Sequence, residues 1–420
     1  MANLSLRIPP ALRNRNFSLY WGGILVSMAG SQMQVWALYW HIRTLTDQPI
    51  ALSIVGLVRF VPILVFSLWG GLIADRLNRR VILYFTQSIM ALVAVILGAL
   101  TFFHALQLWH IYVLLGVNAA VNSFDIPARQ SLVANMVPKG DLPSALSMQS
   151  VAIQVGAILG PALSGVLINA VGLTWVYWIN AISFAAVILA LVFMTPIPQE
   201  FVPVLRQGFS QLKQIAEGFR FVLKKPIILS GMVLEFWASF FSSANTLMPF
   251  LARDILHVGA VAYGWLSSAQ AIGSVTAGLI VSQQQRARRQ GLVMLIAAGM
   301  FGLATVVFGA STSFWLTFAV LILVGGAHTL SAIMRNTIRQ ILTPDQLRGR
   351  IVSISFIFIQ GGPQLGEIES GLVAQWLSTP LSIVTGGIGC VIAVGIITLV
   401  WPQLRRYRGD EPMQIEAGNL

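Results

Sequence analysis

Of 420 residues, 56% are hydrophobic and only 10% charged, and the mean hydropathy is +0.78; a soluble domain carries about a quarter charged residues, so an ordinary soluble fold is excluded. The net charge of +12 sits in short basic clusters between apolar runs. These runs are about 20 residues long, the length of a bilayer-spanning helix, which excludes the single soluble basic face of a nucleic-acid binder.

The chain starts with Arg7, Arg13 and Arg15 and shows no small-residue cleavage site behind a short apolar core. It is expected to lead into the first span from the cytoplasm. Hydrophobic periodicity predicts twelve spans, at about 17–41, 51–74, 81–103, 108–130, 144–168, 171–195, 226–250, 261–282, 291–311, 314–340, 350–373 and 380–402. With the start inside, 23 of the 26 lysines and arginines fall in inner segments. Arg43 and Arg253 fall outside, and Arg59 lies within a span. The positive-inside rule then places both termini in the cytoplasm.

The expected fold class is all-α integral membrane, with twelve transmembrane helices in two six-helix bundles. The predicted units are residues 1–200 and 226–403, joined by a linker helix at 201–225 and followed by a cytoplasmic tail at 404–420. In the linker, Leu205, Phe209, Leu212, Ala216, Phe219 and Leu223 recur at amphipathic-helix spacing beside Lys213, Arg220, Lys224 and Lys225. That pattern predicts a helix on the inner membrane surface. The halves repeat at an offset of about 206: Gly71 matches Gly278, Arg129 matches Arg335, and Leu159-Gly160 matches Leu365-Gly366. Parallel six-helix repeats build one large transporter architecture.

Gly71-Leu-Ile-Ala-Asp75-Arg76-Leu-Asn-Arg79-Arg80 ends the second span. It resembles the loop 2–3 signature of the major facilitator superfamily. Arg13-Asn-Arg-Asn-Phe17, Phe124-Asp125-Ile-Pro127-Ala-Arg129-Gln, Gly349-Arg350 and Leu404-Arg405-Arg406-Tyr407-Arg408 resemble the enterobactin-exporter-like branch of bacterial efflux proteins. Gly156-x3-Gly160-Pro161-x3-Gly165 resembles the fifth-helix motif associated with antiporters. The resemblance implies a bacterial inner-membrane exporter of siderophores, macrolides and other amphiphiles. It also implies that Gly71, Asp75, Arg76, Arg79 and Arg80 lock the halves in the outward-open state. Positive-inside charge alone accounts for the arginines but not for Asp75.

Ionisable residues inside spans each cost several kcal/mol unless paired or wetted. Asp125 and Arg129 stand four apart and can pair along one helix face, a structural or gating role shared by Arg335. Glu235 is about ten residues from the inner end of span seven, ~15 Å deep, and His328 lies ~18 Å deep in span ten. In the superfamily that the chain resembles, the first, fourth, seventh and tenth helices line the cavity. Glu235, with His328, is therefore the expected proton-coupling pair; the alternatives are local hydrogen bonding for Glu235 and packing for His328. Gln34, Trp36, Asn118, Asn122, Phe236, Trp237, Phe240, Asn245 and Gln360 are the expected cavity and substrate residues. Aromatic walls of that kind suit amphiphiles.

Gly-x4-Gly-Lys-Ser/Thr, the phosphate-loop pattern of ATP-driven transport, is missing. No HExxH helix or nucleophile elbow points to an enzyme. The one cysteine, Cys390, leaves no internal disulfide and no cysteine metal site. No cofactor and no metal are expected; the expected partners are protons, membrane lipids and a small amphiphilic substrate. A monomer is expected. The leading reading is a secondary active exporter working by alternating access and proton antiport. An importer or uniporter, or a lipid-flipping protein, is the alternative, because fold does not fix direction. A receptor reading is disfavoured by end segments of only about 16 and 18 residues.

Overall fold

The computed structural model describes residues 9–197, 217–283, 289–344 and 347–409. Of the predicted linker stripe, Leu205, Phe209, Leu212 and Ala216 lie outside the described residues, as do the side chains of Gly71, Asp75, Arg76 and Asn245. All long elements described are α-helices: α1 (Arg15–Leu45), α2 (Ile50–Arg76), α3 (Arg79–Phe102), α4 (Leu108–Met136), α5 (Leu142–Val171) and α6 (Leu173–Phe193). After a short helix at 217–224 come α7 (Pro226–Phe241), α8 (Ala260–Gln283), α9 (Gln290–Ala310), α10 (Phe314–Leu342), α11 (Arg348–Trp376) and α12 (Thr379–Val400). Among the described residues, eight helices are long and apolar enough to cross a membrane by length and composition. Ile50–Phe66 and Pro226–Phe241 are shorter apolar helical stretches.

Helix ends follow local chemistry. The Asn14 side chain accepts from the backbone N–H groups of Asn16 and Phe17 and starts α1. Asn78 does the same for Arg80 at the start of α3, so only Leu77 and Asn78 separate α2 from α3. The two helices are thus joined by a tight turn. At Gly70 an added Cβ would run into the Ser123 carbonyl of α4. At Gly70 the missing side chain lets the backbones of α2 and α4 meet.

The chain divides into two compact units, residues 1–203 with 252–268, and residues 204–251 with 269–420. In the first unit α1 packs on α5 and α6, and α3 packs on α4 and α6. In the second, α7 packs on α11 and α12, and α9 on α10 and α12. The same pairings therefore recur in each unit. The glycine-mediated approach of α2 to α4 recurs as well: a Cβ on Gly325 of α10 would meet the Gln270 carbonyl of α8.

Span seven differs from its expected course. Its α-helix ends at Phe241, and 3-10 (Ala244–Leu247), α (Met248–Phe250) and π (Leu251–Ile255) turns follow. Pro249 lacks the N–H that a continuing helix needs. The Ser243 hydroxyl also bonds the Ser239 carbonyl, offering the backbone an alternative partner.

Candidate functional site

In the second unit, α7 begins on Pro226, a residue preorganised for a first helical turn. Two turns later it carries Glu235, 9% exposed. The carboxylate pairs with the Arg335 guanidinium of α10 and accepts from the Ser239 hydroxyl at 3.1 Å. Arg335 in turn donates to Ser331 Oγ at 2.6 Å, and Ser331 donates to the Met294 carbonyl at 3.2 Å. The pair ties α7 to α10 and is braced by α9.

Glu235 and Arg335 stand in the wall of a narrow cleft enclosing about 30 Å³. Its lining is mostly apolar, with Ile228, Met232, Met294 and Phe358, and its polar side adds Asn336 and Arg339. Arg339 donates to Asn336 Oδ1 at 2.8 Å. Phe236 lies 6.4 Å from Phe358, edge to face, and stacks on Phe240 at 6.1 Å. Apolar walls around a breakable charge pair form a site that can respond to a proton.

The other predicted residues are spread over different roles. His328 lies on α10 with its ring 5.1 Å from that of Phe301, and the Glu235 cleft is not lined by it. Gln34 is buried and accepts from Asn180 Nδ2 at 2.7 Å, tying α1 to α6. Asn122 donates to Asn118 Oδ1 at 2.8 Å along α4. The Trp36 carbonyl accepts from the Tyr263 hydroxyl at 3.0 Å. Trp237 is 39% exposed and stacks on Phe241 at 5.4 Å. Gln360 is half-buried on α11. Arg80 donates to the Val192 carbonyl at 3.3 Å, and Arg79 has a partner of its own.

In the first unit, Asp125 is 1% exposed and pairs with Arg129, whose Nε stands at 3.0 Å. Thr86 and Gln87 of α3 each donate to Asp125 Oδ1 at 2.8 Å. The carboxylate is well supplied with donors and binds α3 to α4. Sequence reasoning placed this pair; it did not connect Glu235 with Arg335. A signal was present: at the 206-residue offset Asp125 becomes Ser331, leaving Arg335 without an acid on its own helix.

A repeated α-helical unit with an intramembrane ion pair at a cleft is the build of a secondary membrane transporter. The family model described as transmembrane secretion effector, of the major facilitator superfamily, matches residues 8–412, and the chain belongs to that family. The enterobactin exporter of Citrobacter koseri is 25% identical over 364 residues, covering 87% of this chain and 85% of that protein. An uncharacterized transporter of major-facilitator type from Bacillus subtilis is 25% identical over 415 residues, covering 91% and 94%. A bacterial homologue of the human lysosomal transporter Spinster, inward-facing and unoccupied, matches with a TM-score of 0.72 at 14% identity. That match covers 95% of this chain and 97% of the other and shows the shared fold. The chain is a multi-pass membrane transporter with efflux-type relatives.

Proposed function

We propose that the protein is a secondary active exporter of amphiphilic small molecules, siderophore-like or drug-like, working by alternating access and proton antiport in a bacterial inner membrane. Twelve spans with both termini inside are part of this reading. The observation that carries it is the Glu235–Arg335 pair, which joins two helices in the wall of an apolar cleft. A charge retained within a span marks function more often than packing.

The chemistry follows from the pair. Ionised, Glu235 neutralises Arg335 and ties α7 to α10. A proton on Glu235 removes that attraction, while Arg335 keeps the Ser331 hydroxyl. The tie between α7 and α10 then loosens, so a proton and a helix rearrangement become linked. Binding of the substrate's apolar body against Met232, Met294 and Phe358 draws on the same two helices and on their neighbours α9 and α11. Substrate and proton thus act on one set of contacts, which is what coupling requires.

The test is export from right-side-defined proteoliposomes loaded with an amphiphilic dye, with and without an imposed pH gradient. Gradient-accelerated export supports antiport. Equal rates with and without the gradient contradict it, and movement only down the dye's own gradient indicates a uniporter.

A further inference from the structure

Arg339 lines two cavities. One is the narrow cleft of Glu235 and Arg335. The other, of about 370 Å³, is walled by Arg339, Gln340, Thr343, Ile351 and Val352, where α10 ends and α11 begins. All of these residues belong to the second unit.

The charges at this end of α10 do not balance. Arg335 and Arg339 stand one turn apart, where like charges repel, and Arg335 takes the Glu235 carboxylate. Arg339 is half-buried and, among the described residues, pairs with no acid; its hydrogen bond goes to Asn336 Oδ1. Burying a cation is costly unless an anion compensates it. A guanidinium has five N–H donors, so Arg339 keeps four for a ligand. Gln340, exposed beside it, adds a carboxamide with two more.

The rest of the cavity wall is built to stay in place and to meet an apolar group. Thr343 is buried, and its hydroxyl donates to the Arg339 carbonyl at 2.5 Å, closing the last turn of α10. Ile351 is buried in a cluster with Val222, Ile228, Met232 and Ile354, whereas Val352 is 56% exposed. Through Val222 the short helix at 217–224 joins the same cluster. Residues 217–225 carry Arg220, Lys224 and Lys225 against one acid, Glu217. A basic excess of this kind raises the local concentration of anions.

We propose that the cavity between the end of α10 and the start of α11 binds an anionic oxygen group, a phosphate or carboxylate, carried on an apolar chain. Arg339 and Gln340 hold the anion, and Ile351 and Val352 meet the chain. On the topology proposed above, the site faces the inner leaflet and the cytoplasm. Its ligand is then either an acidic phospholipid or a soluble anionic amphiphile. The topology sets only the side of the membrane; the site itself depends on neither export nor antiport.

The test is equilibrium binding of radiolabelled dodecyl phosphate to the full chain in phosphatidylcholine nanodiscs, with no gradient and with dodecanol as the uncharged comparison. Saturable binding of dodecyl phosphate is expected. R339Q is expected to weaken it by about three- to tenfold, and R339K by less, because lysine keeps the charge and loses the fork. Q340E sets a carboxylate beside the guanidinium at an exposed position. It is expected to weaken binding as well, which keeps the proposal testable if R339Q folds poorly. R405Q removes an exposed arginine elsewhere in the second unit and is expected to leave the affinity unchanged. Equal affinity in the parent, R339Q and Q340E overturns the site. An equal loss in R405Q also overturns it, because diffuse surface charge then explains the binding. Phosphatidylglycerol added to the discs separates the two sources. Displacement of dodecyl phosphate supports an acidic phospholipid as the ligand, and continued binding supports a soluble amphiphile. A protein that fails to export or to use a proton gradient keeps these affinities, so the two ideas fail separately.

Discussion

Arg129 and Arg335 occupy equivalent positions in the two repeats but have different partners. Arg129 has Asp125 on its own helix, with Thr86 and Gln87 completing the carboxylate's hydrogen bonds. Such a pair needs no movement and suits a structural role. Removing one partner of a buried pair costs about 3–5 kcal/mol. Asp125→Asn is therefore expected to lower the thermal unfolding temperature of purified protein markedly, as read by tryptophan fluorescence on heating; an unchanged midpoint would remove the structural assignment. Arg335 has Ser331 at the equivalent position and takes its carboxylate from α7 instead. His328 offers a contrast. Its ring packs on Phe301, so His328→Gln is expected to leave pH-gradient-driven export close to wild type. Loss of gradient driving in that variant would return His328 to the coupling pathway. Charged positions were legible because charges in spans are rare. Their partners were not, because pairing across helices depends on helix rotation, which a composition pattern leaves open.

Among the helices, α2 and α4 approach through Gly70, and α8 and α10 through Gly325. Gly70→Leu forces a side chain into the Ser123 backbone, which cannot yield as a flexible side chain can, and overpacking costs about 1–3 kcal/mol or more. The expected result is a poorly expressed or thermally weakened protein, monitored by size-exclusion profile and melting; wild-type behaviour would mean that the two helices stand further apart. Helix positions were readable from apolar run length, and the two-residue turn at Leu77 and Asn78 from its glycines and arginines. The break after Phe241 was harder to read. Ser242, Ser243 and Pro249 sit in a short stretch between apolar runs, so a hydropathy window of span length runs through it. The hydrogen-bonding alternatives open to serine and the missing proline N–H are local effects that such a window averages away. Gln34, Trp36 and the Asn118–Asn122 pair were expected at a substrate cavity, but the contacts described for them are with other helices or with each other. Polar residues in spans serve packing as readily as binding.

For the whole molecule, the family and the repeated helix pairings establish a major facilitator transporter. The departure from symmetry carries the functional proposal. One unit keeps its ion pair within a helix; the other stretches it between α7 and α10, at a cleft. On the proposed reading, coupling belongs to the second unit. The most direct test is Glu235→Gln in proteoliposomes, comparing export under an imposed pH gradient with substrate exchange at equal pH. The expected result is that gradient acceleration disappears while exchange continues, because the neutral side chain still fills its place but no longer carries a proton. Full gradient-driven export by the Glu235→Gln protein would contradict the account.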